Sequence, residues 1–514
     1  MDKYITLLGI VLCLSAATTS SLETTHGRDM KTHNINQVEL QITNYGTCGP
    51  AWWPKGSGHM YIYGAGFWFG TIDPVTGDTL VTIGYGPHGG ESECVPGLQG
   101  MPLGSIIYMY PSPWPPPADT YPMAPQDRVS HQDSWCCYND CDSNHHMPGD
   151  TRPIGLEIYQ TGYAWNEPGI EDIIFLTLEF KNVSEHNLEN CYVGVCADCD
   201  IGNEAGGFAN DICGLILDKS YFIGENLYII DDLAYQWQEV EEPGWQESAG
   251  AIGFDILQTP FDLEEGEDKD GDGIPDQYER DSVYYWNNVP QHKWDVDSDG
   301  IPDWRDASEN PQLGLTAFKR FTLTIEPNRD PERYMTLAGY NFTTGEYEPY
   351  DTIPLPDPDD QRYLMSTGPF NLENDSIMTI VCAVVLAEYG ENAVPQAETC
   401  LVLTDHRAQV QYNMNWLLSV EEIISDQTVT NNLLFGPNPV IKRGFITFSL
   451  QHAGNVTITL YNSVGQLVKE IYNENTAAGS HSIHFDTYGL AQGTYLCILE
   501  TPDSRSSCSL VILR

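Results

Sequence analysis

Apolar residues in this chain alternate with polar ones in short runs, and Gly, Pro, Asn or Asp closes most runs before a helix of useful length could form. Val38-Glu-Leu-Gln-Ile-Thr43, Leu80-Val-Thr-Ile83, Gly155-Leu-Glu-Ile-Tyr159, Ile173-Ile-Phe-Leu-Thr-Leu-Glu-Phe180 and Met378-Thr-Ile-Val-Cys-Ala-Val-Val-Leu386 carry the pattern. A period of two places alternate side chains on opposite faces, so these runs predict strands. Many short strands with turn signals between them predict antiparallel sheets packed face to face. The expected fold is mainly β, a large β-sandwich-like domain with long loops and one helix. That helix is expected over Asn392 to Leu418, where breakers are few. The longest loop is expected from Pro111 to Pro148, with Cys136, Cys137 and Cys141 near its end.

Charge narrows the function classes. The 73 Asp+Glu against 23 Lys+Arg leave a formal charge of -50, a field that repels phosphate backbones and anionic lipid and attracts cations. Nucleic-acid binding is excluded on that ground. A hydrophobic share of 41% with 11% aromatics argues against disorder.

The N-terminus has the order of a secretory signal peptide over residues 1–21: Lys3, an apolar run from Tyr4 to Ala17, then small polar residues to Ser21. The run is too short to cross a bilayer comfortably and no other run reaches the roughly 18 apolar residues needed, so no transmembrane anchor is expected. Export permits disulfides. Cys136, Cys137 and Cys141 with His131, His145 and His146, or Cys196 with Cys199, could be drawn as zinc sites. Neither has paired knuckle spacing, and bridges are the preferred reading. The best single bridge is Cys497 with Cys508, on two apolar runs joined by a polar turn.

The sharpest chemical signal is Asp268-Lys-Asp270-Gly-Asp272-Gly-Ile274-Pro-Asp276-Gln-Tyr-Glu279, repeated as Asp295-Val-Asp297-Ser-Asp299-Gly-Ile301-Pro-Asp303-Trp-Arg-Asp306. Alternating carboxylates, a glycine for the sharp turn and an inward carbonyl at Ile274 or Ile301 supply the hard oxygen ligands Ca²⁺ requires. Proline after each isoleucine removes the N–H that would pair two EF-hand loops, and Pro260, Pro290 and Pro311 argue against flanking helices. A weaker cation candidate is Asp198-Cys-Asp200-Ile-Gly202 with Asn210-Asp211 nearby, a group that turn-forming residues explain almost as well.

The Asp-x-Asp-x-Asp-Gly-Ile-Pro-Asp pattern resembles the thrombospondin type-3 calcium repeats over about 268–306. The C-terminal segment has its own rhythm of seven strands, with Asn438-Pro439, Tyr461-Asn-Ser-Val-Gly-Gln-Leu-Val468 and Leu490-Ala-Gln-Gly-Thr-Tyr495. That set resembles the type A sorting domain of type IX secretion over 434–514, which implies a small immunoglobulin-like sandwich, the type IX machinery as partner, and a place outside a Gram-negative cell. Surface glycan or lipopolysaccharide would be a further partner. The remainder resembles uncharacterised exported bacterial proteins, a likeness that supplies no activity. The expected organisation is a leader at 1–21, a β-rich region at 22–261, an Asp-rich calcium insertion at 262–310, the continuing β-rich domain with its helix at 311–420, a linker at 421–433 and the sorting domain at 434–514.

The resulting expectation is a secreted or surface calcium-binding protein of structural or adhesion type. The alternative is a secreted carbohydrate-binding protein or a hydrolase. No Gly-x-Ser-x-Gly elbow and no His-Glu-x-x-His occurs, and Glu157, Asp172 or Glu179 cannot be singled out as acid and base among so many carboxylates. Trp52, Trp53, Trp114 and Trp135 could form sugar-stacking platforms, although such aromatics are more often core or loop anchors.

Overall fold

A computed structural model describes residues 27–86, 92–100, 105–202, 211–223, 226–238, 250–262, 273–278, 282–290, 293–294, 312–322, 324–351, 360–388, 397–417, 433–436, 443–450, 453–462, 467–476, 479–488, 490, 493–501 and 505–512. They fall into two compact units, the first ending at Gln409 and the second beginning at Val410.

The first unit is built on two nine-stranded antiparallel sheets. In the first sheet the order is Met30–His33, Glu39–Thr43, Thr47–Trp52, Gly64–Ile72, Leu188–Asp198, Gln361–Leu372 and Ala317–Thr322, with Met60–Ile62 and Thr79–Ile83 pairing alongside. The second runs Asp211–Ile223, Asn226–Gln238, Ala251–Gln258, Ile377–Ala387, Ile173–Asn182, Leu156–Ala164, Gln132–Asn139 and Val95–Pro96, with Tyr108–Met109 beside Gln132–Asn139. Alternate residues of facing strands meet between the sheets. Phe67 of the first stacks on Tyr138 of the second at 6.1 Å and meets Phe180 edge-on at 5.1 Å. Val193, Val195, Ile174, Leu176 and Leu178 fill the same core.

The first sheet's outer face is also covered. Trp68, Ile83, Cys196 and Leu364 form a second apolar cluster with Leu337 of α2 (Asp330–Leu337). Burial on both faces shows in Gly64–Ile72 of this sheet, which is buried along almost its whole length. Proline at the start of α2 supplies a preset φ where the missing N–H costs nothing.

Three expectations change. The expected single helix is α3 (Ala397–Tyr412), continued by a π turn to Leu417, and it is joined by α2 and by α1 (Ser282–Asn288). α1 follows the first Asp-rich loop closely despite the nearby prolines, and the Tyr278 and Tyr284 rings stack at 4.2 Å between that turn and the helix. The loop after Pro111 ends sooner than expected, because Gln132–Asn139 is a buried strand; Cys136 and Cys137 therefore belong to the sandwich.

The second unit has a three-stranded sheet, Leu433–Gly436, Arg443–Leu450 and Gly479–Asp486, and a four-stranded sheet, Leu467–Thr476, Gly454–Asn462, Gly493–Glu500 and Arg505–Ile512. Ile446, Val456, Ile458, Leu460, Phe485 and Tyr495 form its core. Cys497 and Cys508 are register partners across the last hairpin, but Cys497 is a free buried thiol, so the expected bridge is not formed.

Candidate metal centre

Strand Leu188–Asp198 ends on the outer face of the first sheet, where Asp198 lies opposite Gly64 on one side and Arg362 on the other. Gly64 makes room: a Cβ there would enter the ring of Tyr85. The Tyr85 ring thus lies flat over the strand and its hydroxyl donates to Asp198 Oδ2 at 2.5 Å. Beyond Asp198 the chain leaves the ladder and is pinned by side chains of the second sheet. Gln236 Nε2 donates to the Cys199 carbonyl, and Gln238 Nε2 to that of Ile201 at 2.9 Å. The Ile201 N–H donates to Asp211 Oδ2 at 3.2 Å.

This arrangement gathers Asp198, Asp200 and Asp360, each offering a carboxylate oxygen within 4.8 Å of the others. Among the described residues it is the one such convergence of three metal-ligating groups. Arg362 is its internal counter-ion, with Nε 3.0 Å from Asp198 and 3.6 Å from Asp360, and a terminal nitrogen 3.0 Å from Glu326.

One guanidinium does not balance the site. Burial, partly offset by Arg362, lifts the Asp198 carboxyl to about 6. Burial and the charges of Asp198 and Asp360 lift Asp200 to about 7. Asp211 is raised well above the carboxylate range by burial and then by Asp200 and Asp198, and its Oδ1 is buried with no hydrogen-bond partner. Carboxylates this reluctant to ionise, set close together with an orphaned oxygen nearby, are the donor chemistry of a hard divalent cation. The residues present fit one. Asp198, Asp200 and Asp360 would hold it, and Arg362 would fix the orientation of two of them.

Sequence reasoning singled out Asp198, Asp200 and Asp211 but missed Asp360, Arg362, Tyr85 and Glu326. These come from distant parts of the chain, and only strand pairing joins them.

The principal predicted ligands lie mostly outside the described residues: Asp268, Asp270, Asp272, Glu279, Asp295, Asp297, Asp299, Ile301, Asp303 and Asp306 all do. Ile274 is described and buried, and Asp276 opens a single 3-10 turn to Tyr278.

The Cys/His cluster is dispersed. His131 is 3.7 Å from Glu167, His145 Nδ1 is 3.2 Å from Asp142, and His146 sits buried between Glu93 at 3.2 Å and Asp330 at 3.6 Å. Cys136, Cys137, Cys196 and Cys199 are buried thiols rather than bridges or zinc ligands. Burial pushes Cys137 up to about 12, which makes it inert. A buried Ser134–His33 pair at 2.7 Å has no catalytic character: burial lowers the imidazole to about 4, and His33 is fully enclosed. Trp53 and Trp135 are core residues, so they form no open platform.

Comparison with known proteins adds the address. Residues 435–513 match the secretion system C-terminal sorting domain family. No curated protein matches the chain. A polysaccharide lyase of known structure aligns over 93% of this chain and 46% of its own length, at 7% identity and a TM-score of 0.29. The chain thus spans less than half of that enzyme. No described helix is long and apolar enough to cross a membrane. The C-terminal unit carries the sorting domain of a secretion system, and the protein is secreted or held at the outer surface of a Gram-negative cell.

Proposed function

We propose that this protein is an exported structural or adhesion-type β-sandwich whose first unit is braced by calcium, delivered by the type IX machinery. The observation that carries the reading is the convergence of Asp198, Asp200 and Asp360 on the outer face of the sandwich. Two Asp-rich loops at 268–279 and 295–306 would hold further ions, since their carboxylates alternate with the spacing of calcium-binding loops. The role is read as structural because the centre ties together the ends of two strands, the Tyr85 segment and Glu326. Extracellular calcium modules typically bind at about 10⁻⁴–10⁻³ M, where surrounding fluid keeps them filled.

Thermal melting of the full chain tests this. At ten times Kd, each occupied site stabilises the folded state by about 1.4 kcal/mol, or roughly 2 °C in a unit of this size. Calcium after chelation should raise the melting temperature, and added NaCl should not replace it. A melting curve indifferent to chelator would end the reading.

A further inference from the structure

A second acidic cluster lies away from the metal centre, where α3 meets the second sheet. Asp232 is on strand Asn226–Gln238, Asp255 on its neighbour Ala251–Gln258, and Asp405 on α3. Their relative exposures are 6%, 3% and 2%. The Asp255 carboxyl lies within hydrogen-bonding reach of both Asp232 and Asp405, so the three buried carboxyls form a row across three elements. Ionised carboxylates only accept, so each such bond requires a proton on one partner.

Among the described residues, the charged groups acting most strongly on the three are acidic. Asp231 faces all three with like charge. Cys382, from the strand Ile377–Ala387, and Tyr350 are the neutral titratable groups close enough to feel Asp232. The basic residues of α3 are engaged elsewhere: the His406 ring packs edge-on against Tyr228 at 5.0 Å, and Arg407 acts on Asp172. The outer oxygens Asp232 Oδ1 and Asp405 Oδ1 are buried without partners, a tolerable state for a protonated chain and a costly one for three anions.

We propose that Asp232, Asp255 and Asp405 form a proton-held clasp that fastens α3 to the second sheet and loosens as the medium turns alkaline. Burial, then the like charge of Asp231, lifts Asp232 to about 8 and Asp405 to about 7, and burial followed by the charges of Asp405 and Asp232 raises Asp255. The folded state therefore binds these protons more tightly than the unfolded chain, whose carboxyls titrate near 3.8. The stabilisation is complete below that value and is lost as pH rises through about 7 to 8. The clasp is independent of the calcium reading, because none of its residues belongs to the metal centre.

Amide hydrogen exchange of the full chain tests it, with rates corrected for intrinsic pH dependence. Protection over residues 401–412 should fall by about tenfold per titrating proton from pH 6 to pH 8.5 in wild type, and by about tenfold less in Asp405→Asn, which removes one of the three titrating groups. Strand Ile173–Asn182 serves as the internal reference. An equal fall in wild type and variant would overturn the proposal. So would restoration of alkaline protection by added calcium, since a cation and not a proton would then hold the cluster. If Asp405→Asn does not fold, flat protection of α3 in wild type still refutes the clasp.

Discussion

Asp198 and Arg362 are register partners on adjacent strands, with Arg362 Nε 3.0 Å from Asp198 Oδ2, so the counter-ion of the candidate metal centre is built into the sheet ladder itself. A cation placed by strand pairing costs little further ordering entropy. It neutralises only one of the carboxylates gathered there, which leaves the charge deficit that a divalent ion would fill.

Replacing Arg362 by Leu should therefore be more damaging than its position near a strand end implies. It strips Asp198, Asp360 and Glu326 of their common partner and leaves buried carboxylates uncompensated, a loss of about 3–5 kcal/mol. Calcium should restore more stability to Arg362→Leu than it adds to wild type. Urea unfolding with and without calcium checks both parts, and equal calcium responses would count against the shared-charge account.

Gly64→Ala should distort the centre without touching a carboxylate. The added methyl enters the Tyr85 ring, and overpacking of this kind costs about 1–3 kcal/mol. Tyr85→Phe, which removes only the hydroxyl that donates to Asp198, should cost less. Melting temperatures that rank the two variants the other way would contradict the role given to Gly64.

Buried thiols should be silent in the native state. Cys48, Cys94, Cys136, Cys191, Cys213 and Cys382 are buried, and burial raises each thiol, Cys48 to about 12. Native protein should leave them unmodified by iodoacetamide, and denatured protein should expose them all.

Deleting Leu434 to Arg514 should leave the protein in the periplasm, because the sorting-domain match covers that segment. Surface labelling of cells that express the truncated chain gives the answer. Detection of that chain outside the cell would show that another part carries the address.

Much of this was legible in the sequence, and the reason is local. Period-two alternation reports a strand wherever one face is polar, as in Val38 to Thr43, and for the same reason it marked six of the seven C-terminal strands, Leu433–Gly436 being the one it did not mark. Gln132–Asn139 escaped because it follows a proline-rich segment and begins with polar residues that its surroundings bury, so its cysteines read as loop staples. Asp198 and Asp200 stood out because they alternate at a strand end. Asp360 and Arg362 could not be joined to them, since the pairing of Leu188–Asp198 with Gln361–Leu372 is non-local and no short motif encodes it. The clasp of Asp232, Asp255 and Asp405 was hidden for the same reason: in a chain with 73 acidic residues, only their burial beside one another sets these three apart.

Calcium stoichiometry is the most direct test of the central claim. Full-length wild type and the double variant Asp198→Asn with Asp200→Asn would be stripped with chelator and titrated by calorimetry, with circular dichroism confirming that both remain folded. The account predicts that the variant binds one equivalent fewer than wild type and keeps the equivalents attributable to the Asp-rich loops. Identical stoichiometry in the two proteins would contradict it.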